Sequence, residues 1–175
     1  MTRRRQFLRS GLTGALALGL AACGFRMRGA MLLPFSSLRT SLDRNTDLGR
    51  VLLSQLEASG VTVVGSAKPA GPDAVPELVD VVLEVLNEQR ERAVVGRTAS
   101  GQVRELELRY RFKFLVRTPA GKELIEPTEL LVERDLSYSE TETLAKEAEE
   151  ALLYRDMVND IARQVMYRLA AMRSL

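Results

Sequence analysis

Three kinds of residue in this chain could do chemistry. They are one thiol, Cys23, at the end of Leu20-Ala21-Ala22-Cys23, a scatter of carboxylates, and guanidinium and ammonium groups that alternate with apolar residues in the second half. The rest of the usual catalytic set is missing. With no histidine in 175 residues, the commonest general base and the commonest transition-metal ligand are both absent, so triads and zinc sites are excluded. No Gly-x-Gly-x-x-Gly, phosphate-binding loop or Gly-x-Ser-x-Gly elbow is present, and the carboxylates are too scattered to single out an acid/base pair. An enzyme is therefore the class the sequence argues against, and neither a cofactor nor a metal is expected. What remains for the thiol is modification, and for the cations contact with anions or with an acidic partner.

The setting of Cys23 decides which residues work in the mature protein. Before it stand Arg3, Arg4, Arg5 and Arg9 with no acid, then an apolar run of 12 residues from Gly11 to Ala22 that ends in small side chains. That pattern is a signal peptide, and the run is too short to span a hydrocarbon core, which needs roughly 20 residues. Leu-Ala-Ala-Cys resembles the bacterial lipobox, in which the signal is cut before the cysteine and the new N-terminal residue is acylated. The bland alternative is a small buried thiol behind an ordinary signal sequence. Arg4-Arg5-Gln6-Phe7-Leu8-Arg9 resembles the twin-arginine export motif, but a basic cluster serves any signal peptide, so the export route stays open. Gly24 stands where a retention signal usually places Asp, which favours outer-membrane sorting in a diderm bacterium.

Removing residues 1–22 leaves 23–175, a length suited to one domain with a real core. Loss of the four signal arginines turns the net charge from +2 to −2. A nearly neutral chain with 27% charged residues does not carry the bulk charge of a nucleic-acid binder, so any anion site must be a local patch. A lone cysteine also rules out an internal disulfide.

Along the mature chain, residues 31–42 are read as a first strand. Thr46 or Asp47 can cap a helix carrying Leu48, Val51, Leu52 and Leu56 at helical spacing, with Gly60 at its left-handed end. Val61 to Val64 is a short β-prone piece, and the Pro/Gly-rich 68–76 segment a surface loop. Val79 to Val95 is strand-like, with Val79, Val81, Leu83 and Val85 on one face and a charged tip, Asn87 to Arg92, interrupting the apolar run. Gly96 to Gly101 turns the chain. Next, Leu106, Leu108, Tyr110, Phe112, Phe114 and Val116 alternate with Glu105, Glu107, Arg109, Arg111, Lys113 and Arg117, which is one dry face and one wet face. Thr118 to Gly121 makes a hairpin turn into a return strand from Leu124 to Tyr138, where Pro127 indicates an edge or a bulge. Ser139 and Glu142 fit a capping box for a long helix with Leu144, Ala148, Leu152, Val158, Ile161, Val165, Leu169 and Met172 as its stripe. The expected architecture is an α+β two-layer sandwich: a mostly antiparallel four-stranded sheet against two helices, in the order β-α-β-β-β-α.

The lipobox, the Cys23-Gly24-Phe25-x-x-Arg28 start, Leu52-x-x-Gln55-Leu56, the meander of long charged strands, and Asp156-Met157 and Arg168-Leu169 in the last helix together resemble the LPS-assembly lipoprotein family LptE. That resemblance implies an outer-membrane lipoprotein, palmitate-bearing and facing the periplasm and the barrel lumen. It would plug the β-barrel LptD, help that barrel assemble and help lipopolysaccharide reach the outer leaflet. A plug in a polar lumen needs a charged outer face over a private core, and Arg109, Arg111 and Lys113 offer one, although an ordinary solvated face would look the same. The family's lipopolysaccharide contacts fall near a strand-to-strand turn and just inside the last helix. Lys146 in Leu144-Ala145-Lys146 matches the second, and Arg97 is nearest to the first, with Arg92 and Arg104 as alternatives. The competing reading is a lipoprotein of the periplasmic face with a general envelope-binding or structural role and no barrel partner.

If the opening motif is read correctly, intact-mass measurement of the membrane-extracted protein will give a species starting at Cys23 with added acyl mass. One chain binds a membrane only marginally, at about 0.8 kcal/mol per buried CH₂, so more than one is expected. A mature protein with a free thiol at Cys23, or a different first residue, removes the lipid anchor.

Overall fold

The computed structural model describes residues 31–65, 78–139 and 142–172. Their elements are β1 (Ser37–Thr40), α1 (Asp47–Ala58), β2 (Thr62–Val64), β3 (Val81–Arg97), β4 (Val103–Arg117), β5 (Glu123–Ser137) and α2 (Thr143–Ala170). The strands form one sheet in the order β2-β1-β3-β4-β5. The α+β sandwich with two helices is as expected, but the sheet has five strands and is mixed. β1 runs parallel to both β2 and β3, while β3–β4 and β4–β5 are antiparallel. The Val61–Val64 piece supplies the extra strand: α1 carries the chain over between β1 and β2, the crossover that a parallel pair requires. The 68–76 loop and Cys23 lie outside the described residues.

β4 organises the rest, because its alternation serves two environments at once. Leu108, Tyr110, Phe112, Phe114 and Val116 are fully buried, and the Phe112 and Phe114 rings stack at 5.5 Å. They share one core with Leu48, Leu52 and Leu56 of α1 and Val158, Ile161, Val165 and Leu169 of α2. Each such side chain, fully buried, contributes about 1.5–3 kcal/mol.

Local chemistry sets the element ends. Thr46 is the N-cap of α1, its hydroxyl oxygen accepting from the Gly49 N–H at 3.0 Å, and a Cβ on Gly49 would fall 1.9 Å from the Asp43 carbonyl oxygen. Gly60 follows the Ser59 cap with φ +85°, the left-handed geometry that glycine adopts without strain. The 118–122 turn closes with Gly121 N–H donating to the Thr118 carbonyl, and Pro127 lies both on the edge strand and in a bulge, where the register passes from Phe114↔Thr128 to Val116↔Ile125.

Three expectations change. The charged Asn87–Arg92 run is no tip, since β3 continues through it to Arg97. The capping box of α2 is not formed: Glu142 is the N-cap and its side chain makes no capping bond. The apolar stripe of α2 becomes core only from Met157 onward, leaving Leu144 83% and Leu152 50% exposed.

β1 is fastened to the start of β3 by one carboxylate. Asp80 Oδ2 accepts from the Ser36 N–H and hydroxyl at 2.8 Å and from the Ser37 N–H at 2.9 Å, and the Asp80 N–H returns a bond to Ser37 Oγ at 2.9 Å. The Ser36 backbone bond, followed by the others, holds the Asp80 carboxyl below the usual carboxylate range. A depressed folded pKa contributes stability that is present above the unfolded value, about 4, and is lost as pH falls through the folded one. Asp80→Asn is therefore expected to lower urea stability by about 1 kcal/mol at pH 7, with the gap to the parent closing below about pH 4. A gap independent of pH would mean that the charge of Asp80 is irrelevant.

Candidate functional site

The open side of the sheet is a ladder of charges. In register stand Glu91↔Arg109↔Glu133, Gln89↔Arg111↔Leu131 and Asn87↔Lys113↔Glu129. Arg109 Nε lies 2.5 Å from Glu107 and 3.2 Å from Glu133, and Arg111 reaches Glu129 at 3.1 Å and Glu91 at 3.5 Å. Arg117 pairs with Glu84. Lys113 is half-buried, and no described side chain bonds it. Half-exposed pairs of this kind contribute about 0–1 kcal/mol each, so they can exchange partners at little cost. All three residues expected on this face, Arg109, Arg111 and Lys113, are on it.

The hairpin between β3 and β4 and the first turns of α2 share one end of the molecule. Gly96, Glu105 and Ser137 lie in one register line, and Lys146 Nζ bonds Ser137 Oγ at 3.1 Å and Glu149 at 2.9 Å. Arg97 is spent on its own turn, Nη1 donating to the Gly101 carbonyl at 3.0 Å. Arg104 is exposed, with no side-chain partner among the described residues. Arg92, its side chain half exposed, lies 3.6 Å from Glu150 of α2 and over the Tyr138 ring at 5.8 Å. Val94, Val95 and Leu144 are exposed on the same elements, and the acids Glu105, Glu149 and Glu150 stand among these cations.

Sequence reasoning missed Arg90, and the cause is a bulge. Val85↔Phe114 is followed by Asn87↔Lys113, so Leu86 is one residue too many, and from there the even residues of β3 face the core side. Arg90 thus lies opposite Tyr110, with its guanidinium 5.2 Å from the Tyr110 ring centre and 5.4 Å from that of Tyr154. Its Nη2 donates to Asp47 Oδ2 at 2.7 Å, which holds the Asp47 carboxyl below its usual range. Tyr110 donates to Glu88 at 2.6 Å and Tyr154 to the Glu91 carbonyl at 2.8 Å; burial, before any other cause, raises both hydroxyl pKa values. Asp47, Arg90 and Arg92, with Glu147, Glu150 and Arg155, line a cleft of about 660 Å³ between the two helices. The signal in the sequence was a charged run inside a strand, where a charge needs a partner.

The family model for lipopolysaccharide assembly, LptE, matches residues 36–169. The chain belongs to the LptE family. It is 26% identical over 161 residues, 90% of this chain and 82% of the other, to the LPS-assembly lipoprotein LptE of Photorhabdus laumondii. Its fold is similar to the solution structure of a lipoprotein B from Nitrosomonas europaea, with TM-score 0.67 and 27% identity over 85% of this chain and 91% of that one. The crystal structure of the rare lipoprotein B from Shewanella oneidensis is also similar, with TM-score 0.60 and 27% identity over 77% and 92%. So is a minor lipoprotein from Acinetobacter baumannii, with TM-score 0.58 and 25% identity over 78% and 92%. The LptE match runs from the start of the sheet to the end of α2 and contains the ladder, the basic end and the Arg90 network.

In this LptE-family chain Arg90 joins α1, β3, β4 and α2. Two cation–π contacts at about 0.5–1 kcal/mol each and one charged hydrogen bond are lost together in Arg90→Leu. A loss of about 2 kcal/mol is expected, read as a lower urea midpoint at unchanged slope, with Tyr154→Phe costing less than half as much because its ring contact survives. Equal effects of the two substitutions would place the stabilisation in the Tyr154 hydroxyl instead.

Proposed function

We propose that this LptE-family chain is an outer-membrane lipoprotein, anchored through acylated Cys23, that plugs and stabilises an LptD-like β-barrel and assists transfer of lipopolysaccharide to the outer leaflet. The observation that carries the reading is the ladder centred on Arg109 and Arg111, a charged face about 50 Å long that no described element covers, backed by the core. A polar barrel lumen is a place where such a face is matched without being dried out. The wall can take over pairs that bind only weakly within the plug.

The basic end supports the lipopolysaccharide part. Lipid A joins phosphates to acyl chains, and the elements at this end carry Lys146, Arg97, Arg104 and Arg92 together with exposed Val94, Val95 and Leu144. Arg97 holds only an exposed hydrogen bond to its own turn, which a phosphate can replace, while Lys146 bonds Ser137 and Glu149 with a side chain 15% exposed, so a phosphate there competes with both.

Affinity capture of the tagged, detergent-extracted lipoprotein tests both parts. The parent is expected to bring down one large barrel in stoichiometric amount. Arg109→Glu, Arg111→Glu and Lys113→Glu together should weaken that complex with an unchanged circular dichroism spectrum. Arg97→Asp with Lys146→Asp should keep the barrel but lower binding of purified lipopolysaccharide about tenfold, most clearly at low salt. No barrel with the parent would favour a periplasm-facing lipoprotein without a barrel partner, and full lipopolysaccharide binding by the double variant would remove the basic end as its site.

A further inference from the structure

We infer that the free edge of β5 from Thr128 to Ser137, with the groove between it and α2, docks an extended segment of another polypeptide whose side chains alternate basic and apolar. Among the described residues β5 is the last strand of the sheet. Its register with β4 is unbroken from Phe114↔Thr128 to Glu105↔Ser137, and the Tyr138 N–H donates to the Arg104 carbonyl at 2.8 Å. By the alternation of an antiparallel pair, the even residues of this stretch exchange bonds with β4, and Glu129, Leu131, Glu133, Asp135 and Ser137 turn their N–H and C=O groups outward. Such a row is a template for one more strand.

Natural sheets usually blunt an edge of this length. Here Pro127 and its bulge protect only the first third of β5, and the regular stretch beyond them has no proline. Its remaining protection is charge: Glu129, Glu133 and Asp135 are exposed on the open side. That sign selects the occupant. A second copy pairing edge to edge would set these acids against their own kind, whereas basic side chains on the incoming strand would be matched. On the helix side a shallow groove of about 370 Å³ is lined by Val132, Arg134, Asp160, Arg163, Gln164 and Tyr167, with Arg134 fixed to Asp160 at 2.5 Å. Two large apolar side chains flank the edge, Leu131 on the open side at 42% exposure and Tyr167 on the helix side at 53%. Backbone groups would supply the pairing, and the two flanks the choice of side chains.

The probe is a nine-residue peptide alternating lysine and valine, capped at both ends, added to the full chain in detergent. The control peptide alternates glutamate and valine. Saturable binding of the lysine peptide by fluorescence anisotropy is expected, with hydrogen exchange slowed within 129–137. Asp135→Pro deletes one outward donor without touching a bond to β4, and should weaken binding at least tenfold. Leu131→Asn with Tyr167→Asn changes only exposed side chains, adds no charge to the edge and should do the same, which decides the matter if the proline variant does not fold. The inference is overturned if the folded chain does not bind the lysine peptide, if the glutamate peptide binds equally well, or if protection appears elsewhere and not at the β5 edge. It does not depend on the barrel reading, since the peptide assay contains no barrel.

Discussion

Side chains along a strand alternate between faces, so one additional residue reverses every assignment beyond it. In this molecule that residue is Leu86. Before it, Val81, Leu83 and Val85 feed the core side of β3; after it, Glu88, Arg90 and Arg92 take that side. Had the parity continued, Gln89 and Glu91 would lie under α2, and the guanidinium of Arg90 would join the open ladder. The bulge therefore creates both the polar ground under the first turns of α2 and the composition of the opposite face.

Much of the architecture was legible because it rests on local patterns. The six apolar and six charged positions of β4 read directly as two faces, Thr46 and Gly60 as helix ends, and Pro127 as an edge or a bulge. The missing parts depend on distant contacts. Thr62–Val64 has too few residues to announce a strand and is one only because Ser37–Arg39 runs beside it. The charged run of β3 looked like a tip interrupting the strand because nothing nearby says that Asp47, 43 residues earlier, will meet Arg90. On the site, Arg109, Arg111 and Lys113 could be placed by alternation, whereas Arg97 and Lys146 were reached by family resemblance alone.

The two sides of the sheet hold charge with different partners at similar exposure. On the open side, cations and anions alternate along the ladder, where each half-exposed pair contributes little and any single pair is replaceable. On the helix side, Arg90, no more buried than Arg109 or Arg111, is held by an anion and two aromatic rings at once. One side is suited to meeting other molecules, and the other to holding the helices at a set position over the sheet.

The parallel pairing of β1 with β3 has a kinetic consequence. β3, β4 and β5 are joined by tight turns, so their ladders can grow by short steps from either hairpin. β1 can pair with β2 within the same β-α-β unit, but its other edge must close a chain separation of 43 residues, marked by the bond from the Ser37 N–H to Asp80, to reach β3. Loop-closure entropy opposes that step until the meander offers a finished edge to dock on. In a chain delivered from its N-terminus, the strand that emerges first is then the one whose second edge is filled late, and that edge is available to other partners throughout the interval.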